Sequence, residues 1–391
     1  MTDSELPAEL ASETAEPAAP RSPSLLDRFF RTMIKHGASD LHLRSNSTPH
    51  MRINMVVHPV KTQAVTAEQM EQVVQQMLSD KQRASFEETG SIDVAYEIPG
   101  SDRFRINLYR QRGQIALAAR RVTKAILDFA GLHLPDVLSG ICEYRQGLVL
   151  LAGQTGSGKS TTIASMLEYI NQHRPCHVIT LEDPIEFLFE NKKALVSQRE
   201  IGIDVPDFVT ALKYLMREDP DVVLIGELRD QDTFSAALQA AETGHLVFGT
   251  IHASGAPQTV SRLLDLFGSD DREQARQALA FNLRAVVCQM LLPCAANGIE
   301  RVPACEVLLG SPLVRQYIAE GRDNELPDLI RGSERDGMRT FATSLMELIE
   351  HDLVDPRTAY EYAPNADELK MRVKGISTGA GGLINRSFGG A

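Results

Sequence analysis

Apolar side chains recur at helical spacing from the first ordered-looking segment onward. Leu25, Leu26, Phe29, Phe30, Met33 and Ile34 fall on one helical face, and Gly37 offers a stop. Ser39 to Leu43 then alternates like a strand, and Met51 to Val57 predicts a second one. Thr66 to Phe86 reads as one or two helices. Ile92–Ile98, Arg103–Arg110 and Gln114–Arg121 predict three more strands. Several strands with few helices make a small α+β domain ending near Lys124.

Beyond a connector around Gly131 to Pro135 the rhythm changes. Apolar runs at Gly147–Ala152, His177–Leu181, Asp221–Ile225 and His245–Ile251 alternate with helical patterns such as Ser160–Asn171 and Asp232–Glu242. Such alternation predicts an α/β domain, a mostly parallel sheet with helices on both faces. From Gln274 to about Lys374 the pattern reads as mainly helical. The expected organisation is a disordered arm over 1–24, rich in Ala, Pro, Glu and Ser, an α+β domain over 25–124, and a linker over 125–135. The α/β domain then covers 136–374, and a Gly-rich flexible tail covers 375–391.

Composition narrows the function classes. The chain has 391 residues, and 40 basic against 52 acidic side chains give a net charge of −12. That balance disfavours non-specific attraction to nucleic acid or anionic lipid. No apolar run approaches the length of a membrane span. The first residues are acidic and small, so no secretory signal is expected. The five cysteines, Cys142, Cys176, Cys288, Cys294 and Cys305, contain no Cys-x-x-Cys pair. Neither a disulfide framework nor a structural zinc site is expected, and reduced thiols in a cytosol fit best.

The chemistry starts at a glycine-rich turn. Gly153, Gln154, Thr155, Gly156, Ser157, Gly158, Lys159 and Ser160 fit the P-loop pattern, follow an apolar strand and open a helix that continues through Thr161. Glycines let backbone N–H groups turn inward around phosphate oxygens, and the helix N-terminus adds its dipole. Lys159 is expected to reach the β- and γ-phosphates of ATP, and Ser160 to ligate Mg²⁺.

Carboxylates follow at two strand ends. Asp221 to Glu227 is an apolar strand ending in Glu227, which would orient or deprotonate an attacking water. Gly226 stands where many ATPases carry a metal-binding Asp, so another carboxylate must help hold the metal. Glu182, Asp183 and Glu186 are the candidates. His252, at the carboxyl end of the next strand, is placed to sense a γ-phosphate. His245 lies at the opposite end, where structural hydrogen bonding is the simpler reading.

In this order the boxes resemble those of the bacterial secretion ATPases, the motors of type II secretion and type IV pili. Leu181–Glu186 is similar to their Asp box, Leu224–Glu227 to their atypical Walker B box, and Gly244–His252 to their His box. Gly37 to Leu43, Arg103 to Asn107 and Pro312 to Glu320 resemble signatures of the PilT/PilU pilus retraction ATPases within that family. The likeness covers about residues 25–350. It implies a RecA-like P-loop NTPase domain behind a smaller N-terminal PAS-like domain, and a cytoplasmic homo-hexamer peripheral to the inner membrane. It also implies Glu227 as catalytic base and Glu186 as support for metal and water. By the same resemblance Arg103, Arg105 and Arg120 approach the γ-phosphate of a neighbouring subunit.

The implied function is ATP-driven pilus retraction through an inner-membrane platform protein, with a paralogous retraction ATPase as a further possible partner. The family's four-cysteine zinc motif, usual in members that assemble fibres, is absent, because Cys288, Cys294 and Cys305 form no Cys-x-x-Cys knuckle. Two departures stand out: Ala319 replaces a second basic residue, and no glycine marks a turn near Asn54–His58. The alternatives are a pilus assembly or type II secretion ATPase, a nucleic-acid translocase on the same core, or a non-hydrolysing accessory subunit. Nucleic acid is not an expected partner, since the chain is acidic and has no Trp.

Overall fold

The computed structural model describes residues 24–53, 56–98, 102–122 and 125–374. The expected arm, Ser24 apart, and the expected tail lie outside the described residues. The chain divides between Val122 and Thr123 into two compact units.

The first unit opens with α1 (Leu25–Lys35), started by a capping box in which Ser24 and Asp27 each accept the other's backbone N–H. Strands β1 (Asp40–Arg44), β2 (His50–Ile53) and β3 (Val56–Pro59) follow, then α2 (Ala67–Met77) and α3 (Asp80–Thr89). Strands β4 (Ser91–Glu97), β5 (Arg103–Gln111) and β6 (Gln114–Val122) complete it. Among the described residues the strands form one antiparallel sheet in the order β3-β2-β1-β6-β5-β4. Alternate residues, among them Leu41, Leu43, Phe104, Ile106, Leu108 and Leu117, face the three helices and build a core with Phe30, Met70 and Phe86. Phe30 stacks on Phe104 with ring centroids 3.9 Å apart. The single strand expected over Met51 to Val57 is instead a hairpin, β2 against β3, with Ile53 opposite Val56. The sequence between the two strands contains no glycine.

The second unit contains α4 (Val137–Cys142), β7 (Gly147–Ala152), α5 (Lys159–His173), β8 (His177–Glu182), β9 (Leu195–Glu200), α6 (Phe208–Leu215), β10 (Val222–Ile225) and α7 (Gln231–Glu242). It continues with β11 (Leu246–Ile251), α8 (Ala256–Leu264), α9 (Ser269–Asn282), β12 (Leu283–Pro293) and β13 (Arg301–Leu309). Helices α10 (Pro312–Ala319), α11 (Leu326–Gly332), α12 (Phe341–Glu350), α13 (Pro356–Tyr362) and α14 (Ala366–Val373) close it. Its sheet runs β13-β12-β7-β11-β10-β8-β9, parallel except for the β12–β13 pair. On β7, Leu148 and Leu150 pack with Phe234, Val260 and Leu279 on one side, while Val149 and Leu151 pack with Ile163, Met166 and Leu138 on the other. Both faces are covered, so the strand is apolar at every position.

The expected mainly helical stretch from Gln274 onward is corrected here: β12 and β13 form an antiparallel hairpin that extends the sheet. Their short apolar runs are buried on both sides, and periodicity does not separate such a strand from a buried helix. Strand β9 was also not expected. It is an edge strand with mixed polarity, Leu195 to Glu200.

Candidate active site

The parallel arrangement puts the carboxyl ends of β7, β8, β10 and β11 along one edge, where ligands bind in such sheets. From β7 the chain enters the P-loop. Gly153, Gly156 and Gly158 have φ of 155°, 79° and 89°, the left-handed region that glycine tolerates. The Lys159 ammonium donates to the carbonyls of Gly153 at 2.8 Å and Gln154 at 3.0 Å, so it lies within the curl of its own loop. Burial pushes its pKa down, and the nearby charges of Glu227 and Glu186 only partly oppose this. Ser157 Oγ is buried without a hydrogen-bond partner among the described residues. A curled backbone, a lysine and an unpaired hydroxyl together fit an oxyanion such as a nucleotide phosphate.

A cavity of about 350 Å³ opens beside the loop. Lys159, Ser160, Glu182, Glu186, Glu227 and His252 line it, so the expected base, carboxylate support, metal-ligating serine and histidine share one space. Glu227 follows β10 through Gly226, whose N–H donates to Leu181 C=O at 2.8 Å. The Thr250 hydroxyl donates to the Gly226 carbonyl from the other side. A Cβ on Gly226 would lie 3.0 Å from the Leu181 oxygen and 3.4 Å from Glu182 Cα. Both neighbours are backbone atoms, so a side chain there would be tightly crowded.

Both oxygens of Glu227 are engaged. Arg229 Nε donates to Oε2 at 2.7 Å, and His252 Nε2 lies 3.2 Å from Oε1. Glu182 accepts from Thr180 Oγ1 at 2.7 Å and Gln198 Nε2 at 3.1 Å. Burial nevertheless pushes its carboxyl above the usual range, the donors opposing. Glu186 is exposed at the mouth.

A second cavity, about 420 Å³, lies on the other flank of the P-loop. Leu127, Leu132, Leu134 and Leu291 wall it, and Gly158 and Thr161 form its edge. His245 sits at the amino end of β11, its Nδ1 2.8 Å from Ala240 C=O, and is outside both cavities.

Arg103, Arg105 and Arg120 stand on the first unit's sheet, on the face opposite its core. Arg105 is paired across the strands with Arg120, Arg120 with Asp40, and Asp40 with Arg52, which makes one charged row over four strands. Arg120 Nε donates to Asp40 Oδ1 at 2.9 Å. Burial raises the Asp40 pKa, but the Ser39 hydroxyl and the arginines outweigh it and hold the carboxyl below its ordinary value.

Three functional candidates escaped sequence reasoning. Arg229, just past one recognised box, and Thr250, inside another, were within reach of it. Gln289, on β12, was not. Its amide bonds Ser157 and Thr162, which are 132 and 127 positions away.

Residues 15–323 match a family model described as type II/IV secretion system protein. The chain is similar to a twitching motility protein of Neisseria gonorrhoeae, 38% identical over 83% of this chain and 86% of that one. It is equally similar, at 38% over 84% of this chain and 95% of the other, to the type IV pilus retraction ATPase PilT of Pseudomonas aeruginosa. Among solved structures, the pilus retraction motor PilT with bound ADP superposes with a TM-score of 0.82 at 39% identity, covering 89% of this chain and 99% of that chain.

Proposed function

The chain belongs to the type II/IV secretion system protein family, and from that premise we propose that it is an ATP-hydrolysing motor that retracts type IV pili. The carrying observation is the convergence of Lys159, Glu186, Glu227 and His252 on one cavity at the carboxyl ends of parallel strands.

In this reading the P-loop N–H groups and Lys159 bind the phosphates, and the leucine-walled cavity beyond Thr161 takes the base. Ser160 and Glu186 offer hard oxygen donors suited to Mg²⁺, which would neutralise charge on the β- and γ-phosphates. Glu227 accepts the proton of a water as that water attacks the γ-phosphorus, and ADP departs as leaving group. Arg229 and His252 fix the Glu227 carboxylate in place for that transfer. Arg103, Arg105 and Arg120 are the arginines that complete a neighbouring subunit's site within a homo-hexamer. The motor works in the cytoplasm at the inner membrane, on a platform protein and beside a paralogous ATPase. Among the described residues no helix is long and apolar enough to cross a membrane.

Deleting the gene tests the direction of work. Cells should stay piliated, or become more so, and lose surface motility. Loss of all pili, restored by the wild-type gene, would instead assign the chain to fibre assembly.

A further inference from the structure

We propose that Gln289 is a positioning residue that holds the P-loop in its phosphate-binding form. The proposal rests on the nucleotide site above and adds a side chain from the β12–β13 hairpin. Gln289 is 5% exposed. Its Nε2 donates to the Ser157 carbonyl at 2.9 Å, and its Oε1 accepts from Thr162 Oγ1 at 2.7 Å. Ser157 belongs to the loop, and Thr162 to the first turn of α5. The Ser157 carbonyl, which can only accept, fixes which way the amide faces. With the NH₂ group on that carbonyl, the amide oxygen accepts from the Thr162 hydroxyl.

Peptide geometry gives the consequence. Across a trans peptide the Ser157 C=O and the Gly158 N–H point in opposite directions. Tying the carbonyl outward to β12 aims the Gly158 N–H to the opposite side, into the concave side of the loop. That N–H is one of the donors a phosphate needs. Glycines at 156 and 158 flank this segment, both at positive φ, so little in the local sterics would keep the peptide from turning over. The strut supplies what the glycines do not. They in turn make room for it. A Cβ on Gly158 would lie 2.7 Å from Gln289 Nε2, and one on Gly153 would lie 2.5 Å from the Gln289 backbone oxygen. Two glycines of the motif therefore face this one residue as well as the ligand.

The test compares full-length wild type, Gln289→Leu, Thr162→Val and the double variant. Calorimetric titration with ADP and Mg²⁺ gives affinity, steady-state ATPase assays separate kcat from KM, and thermal unfolding without nucleotide reports folding. Gln289→Leu should weaken ADP binding about tenfold and raise KM in step, as expected for losing an oriented donor, with kcat changed less than about threefold. Thr162→Val should weaken binding about threefold, and the double variant should be no worse than Gln289→Leu, because both act on one strut. A folded Gln289→Leu protein that binds ADP within about twofold of wild type, or that loses kcat at unchanged affinity, overturns the proposal. Should Gln289→Leu not fold, Thr162→Val decides: weakened binding supports the strut and unchanged binding overturns it. A wild type that binds no ADP overturns the nucleotide site itself, and the strut with it.

Discussion

The two sheets handle charge in opposite ways. In the second unit both faces are covered, so β7 and β10 are apolar throughout, β11 is apolar but for Thr250, and polar chemistry collects at and past their carboxyl ends. Lys159, Glu227 and His252 follow those strands and meet in one cavity. In the first unit, among the described residues, helices cover one face. Every second residue of β5 faces away from the core, and Arg103, Arg105 and Arg120 spread along a surface rather than meeting at a point. A point binds a small ligand by itself. A charged surface acts when another surface is brought to it. The same residue type, an arginine near a carboxylate, therefore stands in a different setting in each unit: Arg229 bonds Glu227 beside the cavity, whereas Arg120 bonds Asp40 on the open face of a sheet.

The sharpest way to break this comparison is to empty the point site. Lys159→Ala should weaken ATP binding by roughly 10²-fold or more, since a preorganised cation on the phosphates is lost. Glu227→Gln should do the reverse. ATP binding stays near wild type while turnover drops roughly 10²-fold, the scale of general-base catalysis. Equilibrium binding and phosphate release on the two variants check both. A Glu227→Gln protein that turns over like wild type would remove Glu227 as the base.

The surface should respond differently. Arg105→Ala should leave ATP affinity unchanged in a binding assay and lower turnover of the assembled protein by about tenfold or more. Arg105 is the cleanest arginine to remove, because it has no ion-pair partner among the described residues.

What the sequence revealed follows the same division. The P-loop and four of the five inner strands, β7, β8, β10 and β11, were legible because buried parallel strands read as largely apolar runs and because the motif chemistry is local in the chain. The β12–β13 hairpin was not legible, since Leu283–Pro293 is an apolar run that suits a buried helix equally well. Nor was β9, whose polar residues Ser197, Gln198 and Arg199 hide its edge position. Gln289 lay beyond reach for a further reason: its role exists only through partners more than a hundred positions away. For Arg120, pattern gave the strand and resemblance gave the residue, but pairing with Asp40 comes from the β1–β6 register.

The smallest effect sharpens the surface side of the comparison. Asp40→Asn should cost about 1 kcal/mol of local stability at neutral pH, the scale of a partly exposed ion pair. Hydrogen exchange at the β1 and β6 amides would read it. The sign with pH follows from a folded carboxyl held below its ordinary value of 3.8. The contribution is complete above that value and is lost as pH falls through the lower folded one. Wild type and Asp40→Asn should therefore converge in strong acid.

Whether the surface completes the point site of another subunit is settled most directly by mixing two impaired proteins. Lys159→Ala keeps the arginines and lacks the phosphate cation; Arg105→Ala keeps the P-loop and lacks the arginine. Mixed rings, confirmed by differently tagged subunits, should hydrolyse ATP faster than either protein alone, because a P-loop from one meets Arg105 from its neighbour. Confirmed mixed rings with no recovered activity at any ratio would contradict sites shared between subunits.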